Sequence, residues 1–205
     1  MSEYQKKIED FMFSDIKEKK NLTILEFGVR EGVSTKLFVK HCEENGGKVF
    51  SVDINDYSNI LKSDKWKFIH SSDDNFEYLE KNLPKKVDLI YLDSFHNADH
   101  IEKIFFHYFT KLKTDCYFYF DDISWLPYVK YNYRDNFNCE INNYETFYRL
   151  LEILNSNSDI IDIYFSFKSS GMAKILKKNE KEILKPKKIA SRKGSIKNIF
   201  RKILK

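Results

Sequence analysis

Carboxylate side chains recur where the strand-like segments of this 205-residue sequence end. A single acid in such a place is most often a helix cap or an ordinary strand end. In an open α/β sheet, however, the carboxyl ends of parallel strands share one edge, and ligands bind there. Five coincident ends therefore predict a polar site. Its residues would be Glu26, Asp53, Ser72 with Asp73, Asp93, and the pair Asp121 and Asp122.

A loop with two glycines follows the first strand-like segment. Gly28 and Gly32 are two of only six glycines in the chain, and glycine lets the backbone turn tightly and approach a ligand closely. The spacing is GxxxG, without the pattern of a dinucleotide or triphosphate-binding loop. Glu26, just before the loop, suits a cationic ligand better than a pyrophosphate. Asp53, at the next strand end, can accept both hydroxyls of a ribose.

Strand-like and helix-like segments alternate along the chain and would position these residues. Such alternation implies right-handed crossovers and a mostly parallel sheet with helices on both faces. Two further strands flank a short turn at Gly171 and must therefore be antiparallel. The predicted fold class is α/β, a Rossmann-like seven-stranded sheet that ends in an antiparallel hairpin. Strands are predicted at Leu22–Phe27, Lys48–Asp53, Trp66–His70, Val87–Leu92, Cys116–Phe120, Ile160–Phe167 and Met172–Lys177, and helices at Ser34–Cys42, 76–83, Asp99–Leu112 and Tyr144–Leu154.

Three regions are expected along the chain. Residues 1–20 form an N-terminal helix, because apolar residues recur there at helical spacing. Residues 21–180 form the α/β domain, and within it the irregular segment 123–139 is rich in aromatic side chains. Residues 181–205 form a basic tail.

Several of these motifs together resemble the class I S-adenosylmethionine (SAM)-dependent methyltransferases. The resemblance begins with the sequence LEFG at 25–28 and continues to Gly32, then to Asp53 and to the SDD sequence at 72–74. The sequences DLIYLDSFH at 88–96 and FDDI at 120–123 are similar to those of metal-dependent O-methyltransferases of the catechol and sugar types. The glycine loop alone is weakly specific, whereas five motifs in this order are strongly so.

The resemblance implies a role for each matching residue in binding SAM. The glycine loop would line the methionine part of the cofactor, with Glu26 beneath it, and Asp53 would hold the ribose hydroxyls. Ser72 and Asp73 would lie at the adenine. The implied cofactor-binding set is Glu26, Gly28, Val29, Gly32, Ser34, Asp53, Ser72, Asp73 and Asp93.

The same resemblance implies a divalent metal and a general base. Asp93, Asp121 and Asp122 would hold the cation, and His96 would take the proton of the acceptor hydroxyl, with Asp93 as the second catalytic residue. Three converging carboxylates repel one another unless a cation binds them. Their oxygen ligands favour Mg²⁺ over zinc. Imidazole suits the base because it titrates near neutral pH.

Charge and cysteine content limit the classes of partner. Residues 181–205 carry ten basic residues and one acidic residue, so the first 180 residues have a net charge of −5 within a total of +4. An acidic body argues against nucleic acid as a partner. The three cysteines lack CxxC spacing, which is typical of a protein from the reducing cytoplasm. No apolar run is long enough to span a membrane, so we expect a soluble protein.

Two segments suggest what the protein contacts. In the loop at 123–139, aromatic side chains are interspersed with polar ones. This composition suits a small hydroxylated acceptor such as a sugar or glycan precursor, as in polysaccharide biosynthesis. The alternative is a loop that merely covers the sheet edge.

Residues 196–205 form an apolar stripe beside basic side chains, as in helices that lie on anionic membranes. Packing of this tail on a partner subunit in a homo-oligomer is the competing interpretation.

The preferred function is metal-assisted O-methylation of such an acceptor, and three alternatives remain open. A nucleic-acid methyltransferase is disfavoured because the sequence after the fourth strand lacks the Pro-Pro-aromatic element of amino-group methylators. A hydroxylase-like enzyme of the same fold would need redox-active iron at the aspartates. A non-catalytic, membrane-tethered SAM-binding module would tolerate loss of His96.

Overall fold

The computed structural model of this chain describes residues 2–125, 137–189 and 195–204. Its centre is one seven-stranded sheet with the strand order β3-β2-β1-β4-β5-β7-β6. The first five strands run parallel, and the last two are antiparallel to each other, which confirms the predicted fold class. The strands are β1 (Leu22–Phe27), β2 (Gly47–Asp53), β3 (Trp66–His70), β4 (Val87–Leu92), β5 (Leu112–Asp121), β6 (Ile161–Ser166) and β7 (Met172–Lys177).

Helices and helical turns lie around the sheet or at the ends of the chain. In chain order they are α1 (Glu3–Ile8), α2 (Ser14–Ile16), α3 (Val33–Asn45), α4 (Phe76–Asn82), α5 (Ala98–Tyr108), α6 (Phe137–Asn157) and α7 (Ile196–Ile203). A π-helical segment, Glu9–Phe13, joins α1 to α2. Within the described residues, no helix is both long and apolar enough to span a membrane.

The core lies on both faces of the sheet, because the central strands are buried on both sides. Tyr91 of β4 and Phe38 of α3 belong to an apolar cluster that also receives Ile8, Met12 and Ile16 from the N-terminal segment. A larger cluster on the other side includes the aromatic side chains of α5. The N-terminal segment is therefore part of the domain core, with all three of its apolar anchors almost fully buried.

Several predicted helix bounds differ from the structure, most clearly at the end of α5 and the start of α6. The helix expected to reach Leu112 ends at Tyr108, and Leu112 instead begins β5, where it pairs with Val87. Leu112 is buried in the apolar core, so the apolar spacing that suggested a longer helix reflects burial in a strand. The helix predicted to begin at Tyr144 begins at Phe137.

Candidate active site

The end of β1 is in close contact with the end of β4. Gly28 has a φ of +90°, and a Cβ atom there would lie 2.0 Å from the carbonyl oxygen of Asp93. The nitrogen of Asp93 in turn donates a hydrogen bond to the carbonyl of Phe27 at 2.8 Å. Only glycine permits this approach, so Gly28 places the first loop directly beside Asp93.

The loop then turns into α3 at Gly32, which caps the helix with a φ of +70°. A Cβ there would lie 2.5 Å from Cδ1 of Ile60. Arg30 and Glu31, the two charged residues of the loop, are exposed to solvent. The glycine loop therefore leads directly into the N-terminus of α3, and this is the arrangement expected of a loop that lies along a ligand.

Asp53 at the end of β2 is linked to this loop. Its Oδ2 accepts a hydrogen bond from the nitrogen of Val29 at 2.7 Å, and its Oδ1 accepts one from the nitrogen of Asn55 at 2.9 Å. Each carboxylate oxygen keeps a further lone pair for a ligand hydroxyl. Asp53 is partly exposed, as a ribose-binding residue must be.

Glu26 lies completely buried beneath the loop. Its carboxylate accepts hydrogen bonds from Ser34 at 2.6 Å, Thr35 at 2.8 Å and Ser51 at 2.6 Å. Burial raises the pKa of Glu26 from its ordinary value of 4.5 to about 7, although the three hydroxyl donors oppose the rise. Ser34 is itself buried and its hydroxyl is committed to Glu26. Ser34 therefore supports Glu26 through its hydroxyl, and its contact with the cofactor stays a prediction.

Asp73, after β3, is held by two residues that follow β4. Its Oδ2 accepts a hydrogen bond from Ser94 Oγ at 2.5 Å and lies 3.0 Å from Nε2 of His100. Ser72 donates to Asp74 at 2.5 Å. Ser94 directly follows a predicted site residue but was not itself predicted to belong to the site.

Asp93, Asp121 and Asp122, here called the aspartate cluster, converge as predicted, and His96 joins them. Its Nε2 lies 3.5 Å from Oδ1 of Asp93 and 3.6 Å from Oδ2 of Asp122. Burial, together with the neighbouring carboxylates, raises the pKa of Asp93 well above its usual range, and burial and Asp121 raise that of Asp122.

Two residues of α1 that were not predicted to belong to the site, Tyr4 and Lys7, contact this cluster. Lys7 forms an ion pair with Asp121 through Nζ, which also donates to Ser170 Oγ at 2.8 Å. Tyr4 donates to Oδ2 of Asp93 at 2.6 Å. The available signal was their spacing, because Tyr4 and Lys7 lie three residues apart on the helix face that carries the buried apolar residues.

The aspartate cluster does not fit a divalent cation in this arrangement. Both oxygens of Asp121 and Oδ2 of Asp93 already accept hydrogen bonds, from Lys7, Tyr91 and Tyr4. Within the part of the chain that the structure describes, no group of three or more His, Cys, Asp or Glu side chains is arranged to hold a metal ion. Mg²⁺ needs oxygen ligands at about 2 Å, which an ammonium on the same oxygens prevents. The three predicted ligands converge, but the cation beside them is a lysine.

The predicted acceptor loop can be placed only at its start. Trp125 packs against Phe147 at 4.6 Å between ring centroids and against Tyr144 at 5.2 Å. The rest of the predicted acceptor segment, 126–136, together with the side chains of 137–139, lies outside the described residues.

Comparison with known proteins gives the class to which this site belongs. A family model described as a methyltransferase domain matches residues 25–123, which include the glycine loop and the aspartate cluster. A search of curated proteins gave no match. The family match and the fold confirm the predicted resemblance to SAM-dependent methyltransferases.

Solved structures with the same fold include three methyltransferases. The O-methyltransferase of Bacillus cereus in complex with S-adenosylhomocysteine (SAH) has a TM-score of 0.61 and 16% identity, with 87% of this chain and 82% of that chain covered. TomG of Streptomyces achromogenes, an O-methyltransferase solved with SAM, has a TM-score of 0.62 and 14% identity, with 87% of this chain and 82% of TomG covered. MycE, a methyltransferase of the mycinamycin biosynthetic pathway solved with Mg and SAH, has a TM-score of 0.62 and 15% identity. The match covers 85% of this chain and 49% of MycE, so this chain spans about half the length of MycE.

Proposed function

We propose that this protein transfers a methyl group from SAM to a hydroxyl of a small acceptor. The observation that carries the proposal is the position of His96, whose Nε2 faces Asp93 and Asp122 beside the glycine loop. Asp93 belongs to both halves of this arrangement, because its backbone contacts Gly28 and its side chain faces the imidazole. A cofactor loop and a candidate base thus meet at one residue.

The cofactor would lie along the glycine loop. Its ribose hydroxyls would bind the free lone pairs of Asp53, which two backbone nitrogens hold in place. Its adenine would lie near Asp73 and Ser72, and its methionine part over the loop between Gly28 and Gly32, with Glu26 below. The buried carboxylate of Glu26 favours a positively charged ligand above it, as sulfonium SAM is.

The remaining chemistry requires a base and alignment. When bound, SAM supplies a methyl group on a positively charged sulfur, and the acceptor oxygen forms its bond to that carbon as the carbon–sulfur bond breaks. His96 accepts the hydroxyl proton at Nε2, where Asp93 and Asp122 stabilise the imidazolium. Holding the two reactants in line supplies much of the rate enhancement.

A sugar or glycan precursor is the acceptor class that we favour. An open groove of about 410 Å³ is lined by Asn97, the residue after His96, and by the rings of Tyr144 and Tyr148. Both tyrosine rings are partly exposed. Aromatic faces beside charged groups such as Arg149 suit a ligand with apolar ring faces and many hydroxyls. This acceptor class would place the reaction in polysaccharide or natural-product glycan assembly.

No step of the proposed reaction uses a divalent cation, because Lys7 and Tyr4 occupy the oxygens that would bind one.

The proposed function also includes contact between α7 and a membrane surface. The apolar side chains of that helix are largely exposed, from 50% for Ile199 to 73% for Ile196. Basic residues flank them, which suits an anionic lipid surface.

Calorimetric titration with SAH, in Mg²⁺ and again in EDTA, tests the cofactor assignment first. We expect micromolar binding that is the same in both conditions. Transfer of labelled methyl groups from SAM to a panel of sugars then tests the acceptor class. Absence of SAH binding in both conditions would overturn the proposed function.

A further inference from the structure

The side chain of Lys7 is buried inside the aspartate cluster. It is only 1% exposed, and its ammonium pairs with Asp121, which is equally buried. Nζ lies 3.8 Å from Oδ1 of Asp122, 2.8 Å from Ser170 Oγ and 3.5 Å from the carbonyl oxygen of Gly171. An ammonium has three donors, and Asp121, Ser170 and Gly171 supply three acceptors.

Tyr4, one turn before Lys7, completes the set of contacts from α1. Its hydroxyl donates to Oδ2 of Asp93 at 2.6 Å and lies 2.9 Å from the hydroxyl of Tyr91. Tyr91 donates in turn to Oδ2 of Asp121 at 3.0 Å. The two phenol hydroxyls therefore occupy one oxygen of Asp93 and one oxygen of Asp121, which a bound metal would need.

The position of α1 is fixed by contacts beyond the site itself. Ile8 and Met12 are fully buried in the core. Asp15, further along the same segment, accepts hydrogen bonds from Tyr119 at 2.7 Å and from Lys174 at 2.5 Å. Withdrawal of Lys7 from the aspartate cluster would therefore require apolar anchors and a second ion pair to be broken as well.

The aspartate cluster can be neutralised by Lys7 or by a divalent cation, but not by both at once. Buried carboxylates that converge need a positive charge, and a buried lysine needs a negative one. A metal bound to Asp121 would have to replace the ammonium on the same oxygen. The lysine would then be left buried without its partner, which is strongly unfavourable.

We propose that the ammonium of Lys7 is the resident cation of the aspartate cluster, so that this protein keeps its active site assembled without a divalent metal. The N-terminal helix is then an integral part of the active site. This inference does not depend on methyl transfer, because it concerns which cation neutralises Asp93, Asp121 and Asp122.

Metal binding and thermal unfolding of the full chain test the inference without any activity assay. The proteins are wild type, Lys7→Met, and the control Lys6→Met, which removes an exposed lysine from the same helix. Mn²⁺ is the probe, titrated by calorimetry and by its electron paramagnetic resonance signal. We expect wild type and Lys6→Met to take up no Mn²⁺ at micromolar concentration and to unfold at the same temperature with and without EDTA.

Lys7→Met should unfold several degrees lower, because it leaves buried carboxylates without a counter-charge. Added Mn²⁺ should bind to this variant and recover part of the loss. Micromolar Mn²⁺ binding to wild type that disappears in Asp121→Asn would overturn the proposal. An unfolding temperature of Lys7→Met equal to that of Lys6→Met would also overturn it. If Lys7→Met does not fold, the wild-type titration still decides.

Discussion

The backbone nitrogen of Val29 donates to Oδ2 of Asp53 at 2.7 Å, which joins the glycine loop to the end of the neighbouring strand. The nitrogen of Gly28 also bonds to β2, through the carbonyl of Val52 at 2.9 Å. Two successive loop residues are thus fixed to β2. Asp53 therefore shapes the loop, besides being the residue that is proposed to bind the ribose.

Replacing Asp53 by alanine should weaken SAH binding by roughly tenfold to a hundredfold. This range corresponds to the loss of hydrogen bonds to a charged group, worth about 1.5–3 kcal/mol. Calorimetry with SAH measures the change, and Asp64→Ala, a largely exposed acid in the next loop, is the control. Equal SAH affinity in the two variants would exclude Asp53 from the cofactor site.

A methyl group at Gly28 should disrupt the contact between β1 and β4. Gly28→Ala would place Cβ 2.0 Å from a backbone oxygen at a φ of +90°, and we expect destabilisation of roughly 2–4 kcal/mol together with loss of SAH binding. In the comparison variant Gly46→Ala, with a φ of +78°, the atom met is a side-chain oxygen of Asn21, which can rotate away. Urea unfolding should rank Gly28→Ala as the less stable variant; the reverse order would contradict the backbone contact.

The sequence predicted the sheet well because the strand signals are local. β1, β3, β4 and β7 have the predicted bounds, since each is an apolar or aromatic run of five or six residues bounded by polar or turn-forming residues. The end of α5 was predicted four residues too late, because Leu112 is buried in β5 with a spacing that also continues a helix. The spacing of apolar residues indicates which residues are buried, but a buried residue can belong to a helix or to a strand.

Asp93 and Asp121 were found from sequence because strand ends share an edge in any parallel sheet. Lys7 and Tyr4 were not found, because nothing local shows which surface an N-terminal helix will cover. Their partners are 114 and 89 residues away along the chain. Their three-residue spacing on the apolar face of the N-terminal helix was the available sign, and it indicates burial without identifying the partner.

The pH dependence of stability should reveal the buried carboxyl of Glu26. Its pKa is about 7 in the folded protein and 4.5 ordinarily, so the folded state holds the proton more tightly. Stability from this group is therefore present below pH 4.5 and is lost as the pH rises through 7, by on the order of 3 kcal/mol. Urea unfolding of wild type and Glu26→Gln at pH 5 and pH 8 should show a larger loss in wild type. An equal loss in both would mean that Glu26 titrates normally.

Residues of α7 should carry the chain to anionic lipid. In sedimentation with vesicles, we expect binding to mixtures that contain phosphatidylglycerol and little binding to phosphatidylcholine alone, with weakening at high salt. The double variant Ile199→Asp and Phe200→Asp removes two exposed apolar side chains and should stay in the supernatant. Wild type that also stays in the supernatant would favour a subunit contact, which the molecular mass in solution then tests.

Loss of the imidazole at position 96 should separate catalysis from cofactor binding. His96→Ala should lower methyl transfer by roughly a hundredfold to ten-thousandfold, the usual contribution of a general base, and leave SAH affinity unchanged. The matched control is His107→Ala, because His107 is similarly exposed, 28% against 30%, but pairs with Glu80 away from the aspartate cluster. Its turnover should stay near the wild-type value.

A His96→Ala protein with wild-type turnover would remove the base from the proposal. An inactive wild-type protein that binds SAH as tightly as His96→Ala would instead favour the non-catalytic module, since such a module needs the glycine loop and Asp53 and has no use for an imidazole beside Asp93.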